Sequence, residues 1–222
     1  MENNLVDQDV VDINIELHNK RHRNAPSENM VRLVQWFFKI PGRVLDYGCG
    51  DGSNMEFLLS AGYTADGIDI TDNAIARVEN RLKEYSGWTA KVLRPEDEKL
   101  PYDDNVFDFI LCNQVVYYLG SEERVKRLLI EFQRVLKPTG KLIITAMSRF
   151  NDGATRGVPL GDNVYEWEMG PVGKKIKVYI FRDEKHIRET MNMFNITEVG
   201  YMDNYYCGVG GHHWVILAEN KV

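Results

Sequence analysis

The chain has 222 residues, 44% of them hydrophobic and 27% charged, with a formal net charge of −6. This is the balance of a soluble globular protein with one sizeable core, and the acidic total argues against a nucleic-acid partner, which usually demands a basic face. Three cysteines without metal-ligand spacing (Cys49, Cys112, Cys207) and an N-terminus lacking a long apolar run exclude a disulfide scaffold, a secretory leader and a membrane span; a reducing cytoplasm is expected.

Residues 1–25 are polar, with Val10, Ile13 and Leu17 spaced as a short amphipathic helix. Ser27 suits the N-cap of a helix running to about Phe38, and Pro41-Gly42 ends it. Strands and helices then alternate. A first strand around Val44 is followed by helix 54–61, strand 64–70, helix 72–85, strand 89–94, strand 106–113, helix 121–136 and strand 140–147. Such alternation predicts an α/β fold, a mostly parallel sheet with helices on both faces. Residues 148–173 are glycine-rich and read as a long loop, with short strands near 165–169 and 175–181 that could pair as a hairpin. A helix from Asp183 to Phe194, a strand around 196–205 and a last strand at 213–218 complete the chain.

The most informative segment is Val44-Leu45-Asp46-Tyr47-Gly48-Cys49-Gly50-Asp51-Gly52, an apolar strand running into three alternate glycines. Glycine permits positive φ and close approach of another molecule to the backbone. About twenty residues on, Gly67-Ile68-Asp69-Ile70 ends the next strand on an acid, the position at which ribose hydroxyls are held. The loop is not the G-x-G-x-x-G of dinucleotide sites, because Ser53 stands where the third glycine belongs, and no Gly-Lys-Ser/Thr follows. Asp46 and Asp51 would repel a pyrophosphate but suit a nucleoside carrying an amine and a sulfonium, as S-adenosylmethionine does.

With these features the chain resembles the class I S-adenosylmethionine-dependent methyltransferases over roughly residues 30–220. Further motifs stand in the family's order: Glu96 to Tyr102 with Val106-Phe107-Asp108, and Arg134 to Leu142 around Pro138-Thr139-Gly140. The resemblance implies a seven-stranded, mostly parallel sheet with an antiparallel last strand in a three-layer sandwich. It implies that residues 1–40 form an arm and helix covering the cleft, and that 41–222 form the methyltransferase domain; the insertion at about 148–181 is long enough for a substrate-covering lid bearing Tyr165 and Trp167, with a plain surface hairpin as the alternative. S-adenosylmethionine would be held by Asp46, Gly48, Cys49 and Gly50, by Asp69 and Ile70 at the ribose, by Glu96 and Asp97 at the adenine, and by Asn113 and Gln114 at the methionine end.

A sulfonium is a potent methyl donor, so the protein mainly aligns the nucleophile and excludes water, while a hydroxyl acceptor gains from a base such as His. His213 and Tyr117 are the catalytic candidates; His212, His18 and His22 are alternatives, and His186 is expected to be solvated on its helix. No metal site is expected, since two adjacent histidines need a third and fourth ligand. The expected partner is a small or medium-sized methyl acceptor, methylated on N or O. RNA or protein is the alternative, through the cations Lys20, Arg21, Arg23, Lys174, Lys175 and Lys177. The exposed edge of the last hairpin could pair two copies as a homodimer.

Overall fold

The computed structural model describes residues 5, 6, 8, 11, 25–169, 173–203 and 211–221. Ten strands occur among them: β1 (Arg43–Tyr47), β2 (Thr64–Asp69), β3 (Trp88–Val92), β4 (Phe107–Cys112), β5 (Leu136–Met147), β6 (Val158–Gly161), β7 (Val164–Met169), β8 (Lys174–Tyr179), β9 (Phe194–Asp203) and β10 (His212–Asn220). Seven of them form one sheet in the order β3-β2-β1-β4-β5-β10-β9. β1 to β5 are mutually parallel, and β10 runs against both of its neighbours. The expected sheet, with its antiparallel last strand, is present.

Consecutive strand residues project to opposite faces, and here both faces are apolar. Leu45, Ile110, Cys112, Leu142, Ile144 and Ile216 share one core cluster with Leu128 and Phe132 of helix Glu122–Val135. Val44, Phe109, Leu111, Ile143 and Leu217 share the other with Met55, Leu58, Val78 and Leu82 from helices Ser53–Ser60 and Asp72–Leu82. A sheet buried on both sides needs helices on both sides, which makes the three layers. The helix starts obey local chemistry: Thr71 accepts the Ala74 N–H at 3.2 Å and Ser121 that of Arg124 at 3.3 Å.

Several boundaries differ from expectation. β5 starts at Leu136, straight after its helix, because Leu136 pairs with Phe107 before the Pro138-Thr139-Gly140 turn. The insertion is a three-stranded antiparallel sheet, β6-β7-β8, rather than a two-stranded hairpin. Asp162 and Asn163, at φ 49° and 61°, make the left-handed turn that adds β6, and Pro159 is tolerated there on an edge strand. A 3-10 turn, Val116–Leu119, follows β4. The helix expected at 183–194 stops at Thr190, since Phe194 already pairs with Asn220. Among the described residues no helix is long and apolar enough to cross a membrane.

Candidate functional site

In a sheet of this kind, ligands sit beyond the carboxyl ends of the strands, where the strand order reverses. β1 and β4 flank that point, and the glycine loop leaves β1 there. Gly48 and Cys49 donate their N–H groups to the Ile68 carbonyl at 2.7 and 2.9 Å, tying the loop to β2. Gly48 has φ 77°, and a Cβ there would lie 2.3 Å from Val115 Cγ2, so no larger residue fits. Gly50, at φ 57°, has no atom within 4 Å of where its Cβ would be. Gly48 is required by packing. Gly50 borders open space, as a ligand cradle does.

The acids around this space divide the work differently from expectation. Asp69 organises the loop: one carboxylate oxygen accepts the Gly50 N–H at 3.0 Å, and the other accepts those of Ile70 and Thr71 at 2.8 and 3.3 Å. Asp51 is drawn away by Arg81, whose guanidinium meets its carboxylate at 3.2 Å and Glu56 at 2.8 Å. The carboxyl groups left beneath the loop are those of Asp46 and Asp69. Asp46 is 1% exposed, and neither of its oxygens closes a hydrogen bond of ordinary geometry. Burial pushes its carboxyl up to about 7, the Asp69 charge adds to the rise, and the nearby Asn54 side chain offsets part of it. A buried carboxyl held only by the weak Asn54 contact, beside an open cradle, is a group able to take a cation or donor.

The next loop holds Glu96 and Asp97. Glu96 is exposed, while Asp97 accepts the Arg94 N–H at 2.7 Å and its carbonyl accepts that of Leu5 at 3.3 Å. Leu5 and Val6 are buried in the core cluster that contains Leu93 and Leu100. Downstream the loop is anchored by residues the sequence reading gave no role. Glu131 accepts the Leu100 N–H at 2.8 Å, and Arg134 reaches the carbonyls of Leu100 and Tyr102 as well as Asp104. The Glu131 pairing raises Arg134 above its ordinary pKa. Acid and arginine stand three residues apart on one helix, a spacing that was legible, though its loop partners were not.

After β4, Gln114 adopts φ 58°. Buried Thr145 holds this conformation, accepting the Gln114 N–H at 2.7 Å and donating to the Asn113 side-chain oxygen at 2.9 Å. The structure thus brings Asn113 and Gln114 to the rim, beside Val115 and the glycine loop.

The far end of the rim is built by β5 and β10. Met147 and His213 are partners across this pair, and the His213 and Tyr117 rings lie 5.8 Å apart. Tyr117 is buried and Tyr118 half-buried; both pack with Met147, Ile176 and Val178 under Tyr165 and Trp167 of the small sheet. His213 is buried, and burial pulls its pKa down to about 4, with the Gly211 backbone opposing and His212 adding to the fall. Asn151 touches its Nε2 at 3.4 Å, and His212 shares a hydrogen bond of 2.7 Å with Ser148. His186 is a correction: it is buried against the Tyr179 hydroxyl at 3.1 Å, not solvated, because its helix packs on β8. His18, His22, Lys20, Arg21, Arg23 and Cys207 lie outside the described residues. Among those described, no group of three His, Cys, Asp or Glu could hold a metal ion.

Residues 45–144 match the family described as methyltransferase domain. The demethylmenaquinone methyltransferase of Tropheryma whipplei is 31% identical over 105 residues, 47% of this chain and 41% of that protein. The ubiquinone biosynthesis O-methyltransferase of Rickettsia felis is 26% identical over 56% of this chain and 49% of its own. The chain thus spans less than half the length of these curated relatives. Among solved structures, the Burkholderia thailandensis 1,6-didemethyltoxoflavin-N1-methyltransferase, with bound 1,6-didemethyltoxoflavin and S-adenosylhomocysteine, superposes with a TM-score of 0.72 at 15% identity, covering 96% of this chain and 87% of that one. At that identity the likeness speaks for the fold.

Proposed function

We propose that this chain, whose residues 45–144 match a methyltransferase domain and whose fold is that of S-adenosylmethionine-dependent methyltransferases, moves the methyl group of S-adenosylmethionine to a nitrogen or oxygen of a small or medium-sized metabolite. The observation that carries this reading is the pairing of the open space at Gly50 with the buried carboxyl of Asp46, which closes no hydrogen bond of ordinary geometry. An uncharged or anionic nucleotide would leave Asp46 unsatisfied; the ammonium of the methionine portion would satisfy it. Ribose hydroxyls fall to Asp69, which the Gly50 N–H already holds in place. Glu96 and Asp97 face the adenine, with Leu5 and Val6 of the N-terminal arm closing over that loop. Asn113 and Gln114, fixed by Thr145, meet the methionine end.

When bound, the cofactor supplies an electrophilic methyl group on a positively charged sulfur. The chain's own task is to align the acceptor and keep water out. Tyr117 and Met147, next to His213, pack in one apolar cluster with Tyr165 and Trp167 of the β6-β7-β8 sheet, and the acceptor is proposed to approach at this end. An aromatic-rich end of this kind suits a flat acceptor of modest size. The relatives named for menaquinone and ubiquinone synthesis, and the neighbour holding didemethyltoxoflavin, support that size class. An RNA or protein acceptor draws less support, since Lys175 of the proposed cation strip is already paired with Glu166 at 2.8 Å.

The test is methyl transfer from labelled S-adenosylmethionine to a panel that includes catechol, 2-aminophenol, aniline, a quinol and a bulk RNA. Label on a small aromatic acceptor, and none on RNA, is the expected result. Label on RNA alone would replace this reading with the macromolecular one.

A further inference from the structure

No helix joins β3 to β4; residues 93–106 cross between them as a loop. Its upstream half is a turn beside the acid assigned to the ribose. Leu93 donates its N–H to the Asp69 carbonyl at 2.8 Å, and the Asp97 N–H donates to the Arg94 carbonyl at 3.0 Å. The Asp97 carboxylate accepts the Arg94 N–H at 2.7 Å, which closes the turn a second time and leaves Glu96 within it, its side chain exposed. The downstream half is clamped by helix Glu122–Val135. Glu131, 6% exposed, accepts the Leu100 N–H at 2.8 Å, and Arg134 donates to the Leu100 and Tyr102 carbonyls at 3.0 and 2.7 Å. Glu131 holds the Arg134 fork at 2.9 and 2.7 Å, a bidentate pair that fixes the direction of both side chains. Only Glu98 and Lys99 separate the clamped Leu100 from the Asp97 turn. So short a span, at most about 3.5 Å per residue, passes a shift at Leu100 on to Glu96.

Resting on the methyl-transfer reading, we propose that Glu131 and Arg134 are positioning residues for cofactor recognition. Through Leu100 they set where the Glu96 carboxylate stands at the base, and with it the preference for adenine over a base bearing oxygen in place of the exocyclic amine. A carboxylate only accepts, so it pairs with an amine and opposes a carbonyl. That discrimination depends on placement, and a long side chain exposed on a loop takes its placement from the backbone that carries it. An apolar pair could fill the space of Glu131 and Arg134, but it could not grip a loop N–H and two loop carbonyls. The exit of the loop does not need the clamp, because Asn105 and Val106 donate their N–H groups to the Arg134 and Val135 carbonyls at 2.9 Å each. Loss of the Arg134 side chain therefore releases the middle of the loop and leaves the entry to β4 in place.

The test titrates S-adenosylhomocysteine and S-inosylhomocysteine, which carry amine and oxygen at that ring position, into the wild type and its variants by calorimetry. The wild type should prefer the adenosine compound by more than about tenfold. Arg134→Met and Glu131→Leu should lower that preference about fivefold or more, through weaker binding of the adenosine compound alone, while Arg134→Lys and Glu131→Gln keep part of it. Both compounds are read on one preparation, so unfolded material lowers both signals and leaves the ratio unchanged. Glu96→Ala should abolish the preference, and adding Arg134→Met should change it no further. In the cofactor-free protein, the amide NMR signals of Glu96 and Glu98 should move in Arg134→Lys, a readout that needs no bound nucleoside. Equal losses for both compounds, a preference that survives Glu96→Ala, or unmoved amide signals would overturn the positioning role alone. A wild type that binds neither compound, even with those amides moved, would overturn the cofactor reading and the selectivity proposed on it.

Discussion

Replacing Asp46 by Asn keeps the shape of the side chain and removes its ability to ionise. In the free protein the carboxyl stands at about 7 against an ordinary 3.8, chiefly because it is buried. A carboxyl raised in the folded state is harmless below pH 3.8, where it is neutral folded or unfolded. Its contribution to stability is then lost as pH rises toward 7, because the unfolded chain ionises first. At about 1.4 kcal/mol per pH unit, the ionised group costs the fold about 4 kcal/mol at pH 8 and less than about 1 kcal/mol at pH 4. Asp46→Asn should therefore stabilise the cofactor-free protein, by a margin that grows with pH. With roughly 2–4 °C per kcal/mol for a chain of this size, the gain at pH 8 is on the order of 10 °C in Tm. Thermal denaturation of both proteins from pH 4 to pH 8 measures it, and S-adenosylmethionine should bind the variant more weakly. A variant equally stable at every pH, or less stable at pH 8 than at pH 4 relative to wild type, would refute the raised, buried carboxyl.

Asp69→Ala removes the acceptor of three backbone N–H groups. It should lower unfolding stability by about 1–3 kcal/mol for the donors left open, and weaken cofactor binding at least about tenfold; denaturant titration and calorimetry read the two effects separately. Thr145→Val leaves the left-handed Gln114 N–H without its 2.7 Å acceptor. A loss of about 1–3 kcal/mol with a fall in kcat/KM is expected, and Thr145→Ser should restore both. His213, held at about 4 against an ordinary 6.5, keeps the fold stable only while it is neutral. Relative to His213→Asn, wild-type stability should fall by about 3 kcal/mol as pH drops from 6.5 to 4, an order-of-magnitude figure read from paired denaturation curves.

The sheet was legible because short apolar runs, as strands buried on both faces give, and 3.6-period helices succeed one another from Val44 to Met147, lacking a helix only between β3 and β4. The glycine loop was legible because three alternate glycines serve few purposes. What each glycine does was not: Gly48 is fixed by contact with Val115, 67 positions on, whereas Gly50 is fixed by emptiness. Local pattern also misled on charge. Asp51 stands beside Asp46 in the sequence, but Arg81 neutralises it from the next helix but one along the chain. The third strand of the insertion was hidden because its turn is Asp162-Asn163 rather than a glycine pair, and because Pro159 argues against a strand away from an edge. His186 looked like a polar residue on a surface helix, and only the packing of that helix on Tyr179 and Phe181 shows it buried. The network of Asn151, His212 and His213 joins residues about sixty positions apart and has no local signature.

Titration calorimetry of the purified chain with S-adenosylmethionine, S-adenosylhomocysteine and NAD tests the cofactor cleft most directly. Binding of both sulfur nucleosides, silence with NAD, and loss of the heat in Asp69→Ala are the expected results. No heat with either sulfur nucleoside, or binding that Asp69→Ala leaves untouched, would contradict the cleft at Gly50 and the activity proposed for it.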